Sequence, residues 1–182
     1  LTKTNFALKD TISEKNLGLY HIDEEVQQFR YDTMTEFISK LAKYVKSKNK
    51  NVTNIVCFLS TMDERAATNW DDITSIDEVD VISTSAYYLL GKRDISYVNT
   101  TAKKILTVAN KYNKPVLLWF QLFGVPKEKT EEIRTAINLA KQEGIKNFAV
   151  WGYKGTKYMS HFPSEEPEKL WEIIKDEFSK IF

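Results

Sequence analysis

The sequence predicts an α/β fold built on parallel strands. Three observations carry this expectation. Five short runs are rich in β-branched and aromatic residues, amphipathic stretches of helical period separate them, and strand-to-strand spacings of about 25–37 residues match one β/α unit. The runs are 17–22, 54–60, 79–86, 115–121 and 147–153. Several are apolar at consecutive positions, as in Val116-Leu117-Leu118-Trp119-Phe120, which is the pattern of a strand covered on both faces. Parallel strands in sequential order with helices outside would make part of an eight-stranded barrel. An open doubly wound sheet fits the same alternation.

The helices follow from their faces. Met34, Phe37, Ile38, Leu41, Ala42 and Val45 form one stripe, with Thr33 and Glu36 expected as a capping box at its start. A shorter helix is expected around Ala66, Trp70 and Ile73. Val98, Ala102, Ile105, Ala109 and Tyr112 form the next stripe. Ile133, Ala136, Ile137 and Ala140 form another, with Thr130 expected as N-cap and Gly144 at the end. Leu170, Trp171, Ile174, Phe178 and Ile181 form the last, opened by Pro167. Residues 4–15 give a weaker helical signal.

Composition narrows the function classes. The chain has 182 residues, with 26 Lys+Arg against 25 Asp+Glu and a net charge of +1. This balance argues against an extended nucleic-acid surface and a polybasic membrane patch. No stretch approaches the roughly 20 apolar residues of a membrane span. One cysteine and two histidines, His21 and His161, leave no disulfide framework and little for a metal centre, so no metal and no cofactor is expected. Cys57, mid-strand among apolar neighbours, reads as buried core.

In α/β architectures function collects at the C-terminal ends of strands. Those ends here carry Asp23-Glu24-Glu25, Asp63-Glu64, Tyr87, Trp119-Phe120-Gln121 and Trp151-Gly152-Tyr153. Aromatic faces stack on the C–H faces of sugar rings, amides bond hydroxyl pairs, and carboxylates do the acid/base work of glycoside hydrolysis. Trp119 and Trp151 could equally be core residues, and Asp63 and Glu64 could simply open a helix. Gly152 to Gly155 reads as a turn, with a small-anion cradle on an open sheet as the alternative.

The ordered set resembles the later part of (β/α)8 barrels of the glycoside-hydrolase type. Tyr20-His21-Ile22-Asp23-Glu24 with Leu41-x-x-Tyr44-x-Lys46 is similar to their fourth unit, and Asp80-Val81-Ile82 leading to Tyr87 to their sixth strand. The run from Lys114 to Gly124 is similar to their seventh strand. Thr130-Glu131-Glu132-Ile133-Arg134-x-Ala136, then Gly144 and Ala149-Val150-Trp151-Gly152-Tyr153, is similar to their seventh helix and eighth strand. The resemblance implies a partial TIM (β/α)8 barrel of about five units, residues 1–182 forming one domain that is the C-terminal part of a larger barrel. It implies a carbohydrate ligand, association with the missing N-terminal segment or with itself, and an extracellular location.

It also implies roles. Glu24 would be the general acid with Asp23 beside it, and Tyr87, Trp119, Gln121, Trp151 and Tyr153 would bind substrate. Two departures stand out. Asp23 replaces the Asn of the family's Asn-Glu pair, and Gln121 occupies the place of the nucleophilic Glu on strand seven. Two functions therefore stay open: a carbohydrate-active enzyme hydrolysing O-glycosyl bonds, and a non-catalytic carbohydrate-binding or structural barrel.

Overall fold

The structure, a computed structural model, describes residues 24–60, 67–159 and 161–180. The expected strand at 17–22, the weak helix at 4–15, Asp23, Asp63 and Glu64 lie outside the described residues. Within them, β1 (Ile55–Phe58), β2 (Val81–Ser85), β3 (Val116–Gln121) and β4 (Asn147–Trp151) form one sheet. The order is β1-β2-β3-β4 and every pairing is parallel. The helices are α1 (Glu24–Lys48), α2 (Trp70–Thr74), α3 (Tyr97–Lys111), α4 (Glu132–Gln142) and α5 (Pro167–Ser179). Each packs on the next along the chain, so they form one layer. A doubly wound sheet reverses its strand order and carries helices on both faces. Neither feature is present among the described residues, and the open-sheet alternative falls.

Alternation divides every strand between two faces. Ile82, Val116, Leu118 and Phe120 point toward the helices and join Val98, Ala102, Ile105, Ile133 and Ile137 in the core. Phe58 stacks on Trp70 of α2 with ring centroids 4.9 Å apart. The opposite face carries Ile55, Cys57, Leu117, Trp119, Gln121 and Trp151, none of which joins that core cluster. Ile55 is 50% exposed and Leu59, just past the end of β1, is 64% exposed. Cys57 is exposed, not buried as expected. Its neighbours are apolar, but β1 is an edge of the described sheet and Cys57 faces away from the helix layer.

Polar knots fix the helix layer. Lys46 near the end of α1 pairs with Asp80 at 2.7 Å and donates to the Val52 carbonyl at 2.7 Å. Asn54 donates through its side chain to the Ala42 and Glu78 carbonyls, and through its backbone to Asp80 at 2.6 Å. Lys46 and the Asn54 N–H hold the Asp80 carboxyl below its usual pKa. Between α4 and α5, the buried Glu177 meets Arg134 at 2.5 Å, Lys180 at 2.9 Å and Lys141 at 3.4 Å. Burial opposes its charge, but the three cations outweigh burial and its pKa is lowered.

Two helix starts differ from expectation. α1 already includes Glu24, so Thr33 lies inside it and does not open it, and the Thr33 hydroxyl donates to the Phe29 carbonyl one turn back. Two acids in the first turn and Lys46 and Lys48 in the last suit the helix dipole and explain the longer helix. Thr130 does not cap α4: a 3-10 turn at Lys127–Lys129 precedes it and the Thr130 side chain is buried. Gly144 ends α4 as expected. It takes φ +102°, and the next N–H, that of Ile145, reaches back to Ala140 at 3.1 Å.

Candidate functional site

The C-terminal end of the sheet gathers residues by register. Ser85 lies beside Trp119 and Trp119 beside Ala149, while Gln121 lies beside Trp151. Trp119, Gln121 and Trp151 thus share the face turned away from the helices. Trp119 is half-buried and Trp151 is 55% exposed at the rim. The next peptide link, Trp151–Gly152, is cis.

Gln121 is 3% exposed and its amide is held at both ends. Its oxygen accepts from the Leu90 N–H at 2.9 Å and its nitrogen donates to the Phe123 carbonyl at 2.8 Å. The side chain therefore ties the loop after β2 to the loop after β3. One N–H and one lone pair remain for a ligand.

Tyr87, two residues past β2, falls on the same side as Ser85. Its ring meets Phe123 edge-on at 5.4 Å. Burial, and secondarily the nearby Cys57, push its pKa up to about 12, so it stays a neutral phenol able to donate and accept. Phe123 was not singled out in the sequence. Its parity with Trp119 and Gln121 along the strand is the signal that places it on this face.

Tyr153 goes elsewhere. The segment Tyr153–Thr156 turns in a 3-10 helix, the Gly155 N–H bonds the Gly152 carbonyl at 3.2 Å, and Tyr153 meets Trp171 of α5 edge-on at 5.0 Å. Gly152 to Gly155 is the expected turn. Gly155 requires its glycine: it has φ +58°, and a Cβ would lie 3.0 Å from Pro167. Beyond Tyr153, a cleft of about 260 Å³ lies on the flank of α5, lined by Lys154, Lys157, Tyr158, Glu168, Trp171 and Lys175 among others. Its charges mostly pair off, Lys157 with Glu168 and Lys175 with Glu172.

Glu24 is the first residue of α1 and is exposed. The Ala42 end of α1 is tied to Asn54 at the N-terminal ends of the strands, and α1 runs back from there to Glu24. Glu24 belongs to the helix layer, whereas Trp119, Gln121 and Trp151 lie on the sheet. Among the described residues no group of three His, Cys, Asp or Glu side chains is placed to hold a metal ion. No described helix is long and apolar enough to cross a membrane.

No family model matches the chain, and a search of curated proteins found no match. Solved structures do match. An endo-1,4-β-mannanase from Rhizomucor miehei aligns with TM-score 0.65 and 14% identity, over 81% of this chain and 45% of its own. The hyperthermostable endo-1,4-β-D-mannanase from Thermotoga petrophila RKU-1 aligns with TM-score 0.64 and 18% identity, over 83% of this chain and 52% of its own. The fold is a partial TIM (β/α)8 barrel. The chain spans about half the length of these enzymes, and at such identities the likeness is one of fold. The face carrying Trp119, Gln121 and Trp151 is thus the inner face of the barrel, and its C-terminal rim is the mouth where such folds place their sites.

Proposed function

We propose that the chain forms part of the mouth of a glycoside-hydrolase-like barrel that binds a carbohydrate and acts on its O-glycosyl bonds. The observation that carries this reading is the in-register pair Gln121–Trp151 at the mouth, with Trp119 two residues earlier on the same face. Two indole rings flanking a buried amide offer stacking faces to a pyranose and a polar point for its hydroxyls. Tyr87 adds a neutral phenol to the same wall. Glu24 is assigned the role of general acid, with Asp23 its neighbour in sequence. Hydrolysis needs a second carboxylate, which Gln121 does not provide. Asp63 and Glu64, in the segment after β1, are the candidates within this chain.

One observation favours a second reading, a non-catalytic carbohydrate-binding domain. Gln121 stands where the resemblance expects a nucleophilic Glu, and its amide is engaged with two loop backbones. That is a positioning task a glutamine performs and a carboxylate, which only accepts, does not.

Titration with β-1,4-linked manno-oligosaccharides, followed by calorimetry, tests binding. Saturable binding that Trp151→Ala weakens at least tenfold is expected, and no binding by the wild type would overturn the carbohydrate reading. Release of reducing ends tests catalysis. Glu24→Gln is expected to lower it about 10²–10⁴-fold, while binding without any hydrolysis would leave the second reading standing.

A further inference from the structure

The loop after β4 holds an aromatic ring in water at a cost in backbone conformation. Phe162 is 66% exposed and sits at φ +59°, in the left-handed region that non-glycine residues seldom occupy. Such a conformation persists only where the surroundings impose it, and here they do. The Phe162 carbonyl accepts from the Gly124 N–H at 2.8 Å and from the Thr156 hydroxyl at 2.6 Å. Two residues on, the buried Ser164 hydroxyl donates to the Leu122 carbonyl at 2.8 Å and accepts from the Val125 N–H at 3.0 Å. The loops after β3 and β4 are thereby stitched into one unit that holds Phe162 exposed.

That ring does not stand alone. It meets Phe123 edge-on with centroids 6.4 Å apart, and Phe123 meets Tyr87 edge-on at 5.4 Å. The exposed His161 ring lies 6.5 Å from Phe162. The row Tyr87–Phe123–Phe162 joins the loops after β2, β3 and β4, with an imidazole at its Phe162 end. We infer that Phe123 and Phe162 form an outer stacking subsite for a further sugar ring of an oligosaccharide, beyond the place served by Trp119 and Trp151. The inference rests on the carbohydrate reading above. Each edge-on contact uses one face of one ring, and Phe162, the exposed member of the row, keeps ring surface open to a pyranose. A protein partner needs about 800 Å² on each side, far more than one exposed and two half-buried rings offer.

The test compares chain lengths on the 182-residue protein. The probes are β-1,4-linked mannobiose and mannohexaose, and light scattering runs in parallel. Phe162→Ala is expected to weaken hexasaccharide binding at least fivefold and to leave the disaccharide unchanged. Phe162→Asn, which suits left-handed backbone, is expected to do the same. If Asn restores binding, the Ala loss came from the loop and the subsite is overturned. Equal weakening of both saccharides, or of neither, overturns the outer subsite while the carbohydrate reading stands. Binding of neither sugar by the wild type overturns both. A change of oligomeric state in place of affinity makes the row a protein contact and overturns the subsite.

Discussion

The two faces of the sheet carry similar side chains in different surroundings. Toward the helices, Ile82, Leu118 and Phe120 are wholly buried. Toward the barrel interior, Ile55, Leu59 and Trp151, equally apolar, are half or more exposed. Apolarity on both faces is the signature of a parallel sheet covered on both sides, and the described residues cover the helix side throughout but leave the interior side open at the edge strands β1 and β4. The difference teaches that the strands are written for two tasks. One face holds the domain together, and the other is available for ligand or for further barrel units.

The sharpest way to break this contrast is to cut each face once. Phe120→Ala removes a fully buried ring and is expected to cost about 3–5 kcal/mol. Trp151→Ala, at the exposed rim, is expected to stay within about 0.5 kcal/mol. Urea denaturation midpoints read both. Comparable losses would mean that the interior face is covered in solution and that the division of tasks is wrong.

The uncovered face should also make the isolated chain associate. Exposed apolar patches and open strand edges invite pairing. The chain is expected to scatter light as more than a monomer, and Leu59→Lys to shift it toward monomer. A wild type that stays monomeric at high concentration would show that the interior face needs no cover.

The strand centres and their parallel, sequential order were legible because β-branched and aromatic runs at β/α spacing leave few alternatives. The strands at Val81–Ser85 and Val116–Gln121 fall inside the expected 79–86 and 115–121. Which face of a run would be covered was not legible. Cys57 has the neighbours of a core residue, and only the sheet's edge exposes it. The direction of Tyr153 was hidden too, since a turn between Gly152 and Gly155 swings it onto Trp171. Gln121 was found as a mouth residue, but the Leu90 N–H that holds it lies 31 positions away. Phe123 was legible only through its parity with Trp119 and Gln121, and nothing local marks Phe162 as part of a row.

The helix side also carries a pH dependence in the acid range. Asp80 has a folded pKa below its usual value near 4, through Lys46 and the Asn54 N–H. A lowered carboxylate pKa contributes stability that is present above the unfolded value and lost as pH falls through the folded one. Asp80→Asn is therefore expected to melt below the wild type at pH 7, with the gap closing as pH falls below the usual carboxylate range near 4. A gap of constant size across that range would mean that the Asp80 contacts act by packing and not by charge.

The smallest expected effect concerns α1, which repeats the two-sided pattern of the sheet. Met34, Ile38 and Ala42 pack inward, whereas Phe29, Phe37, Leu41 and Tyr44 lie exposed along an adjoining stripe. Thr33 belongs to the exposed side, and its hydroxyl returns to the Phe29 carbonyl inside the helix instead of capping an end. A mid-helix threonine of this kind is a weaker helix former than alanine. Thr33→Ala is therefore expected to raise stability by at most about 0.5 kcal/mol. Loss of an N-cap would instead lower it by about 1 kcal/mol. The sign of the change in melting temperature decides whether the turns from Glu24 to Arg30 are one continuous helix with the rest. A loss would place the start of α1 at Thr33 and Glu24 outside the helix.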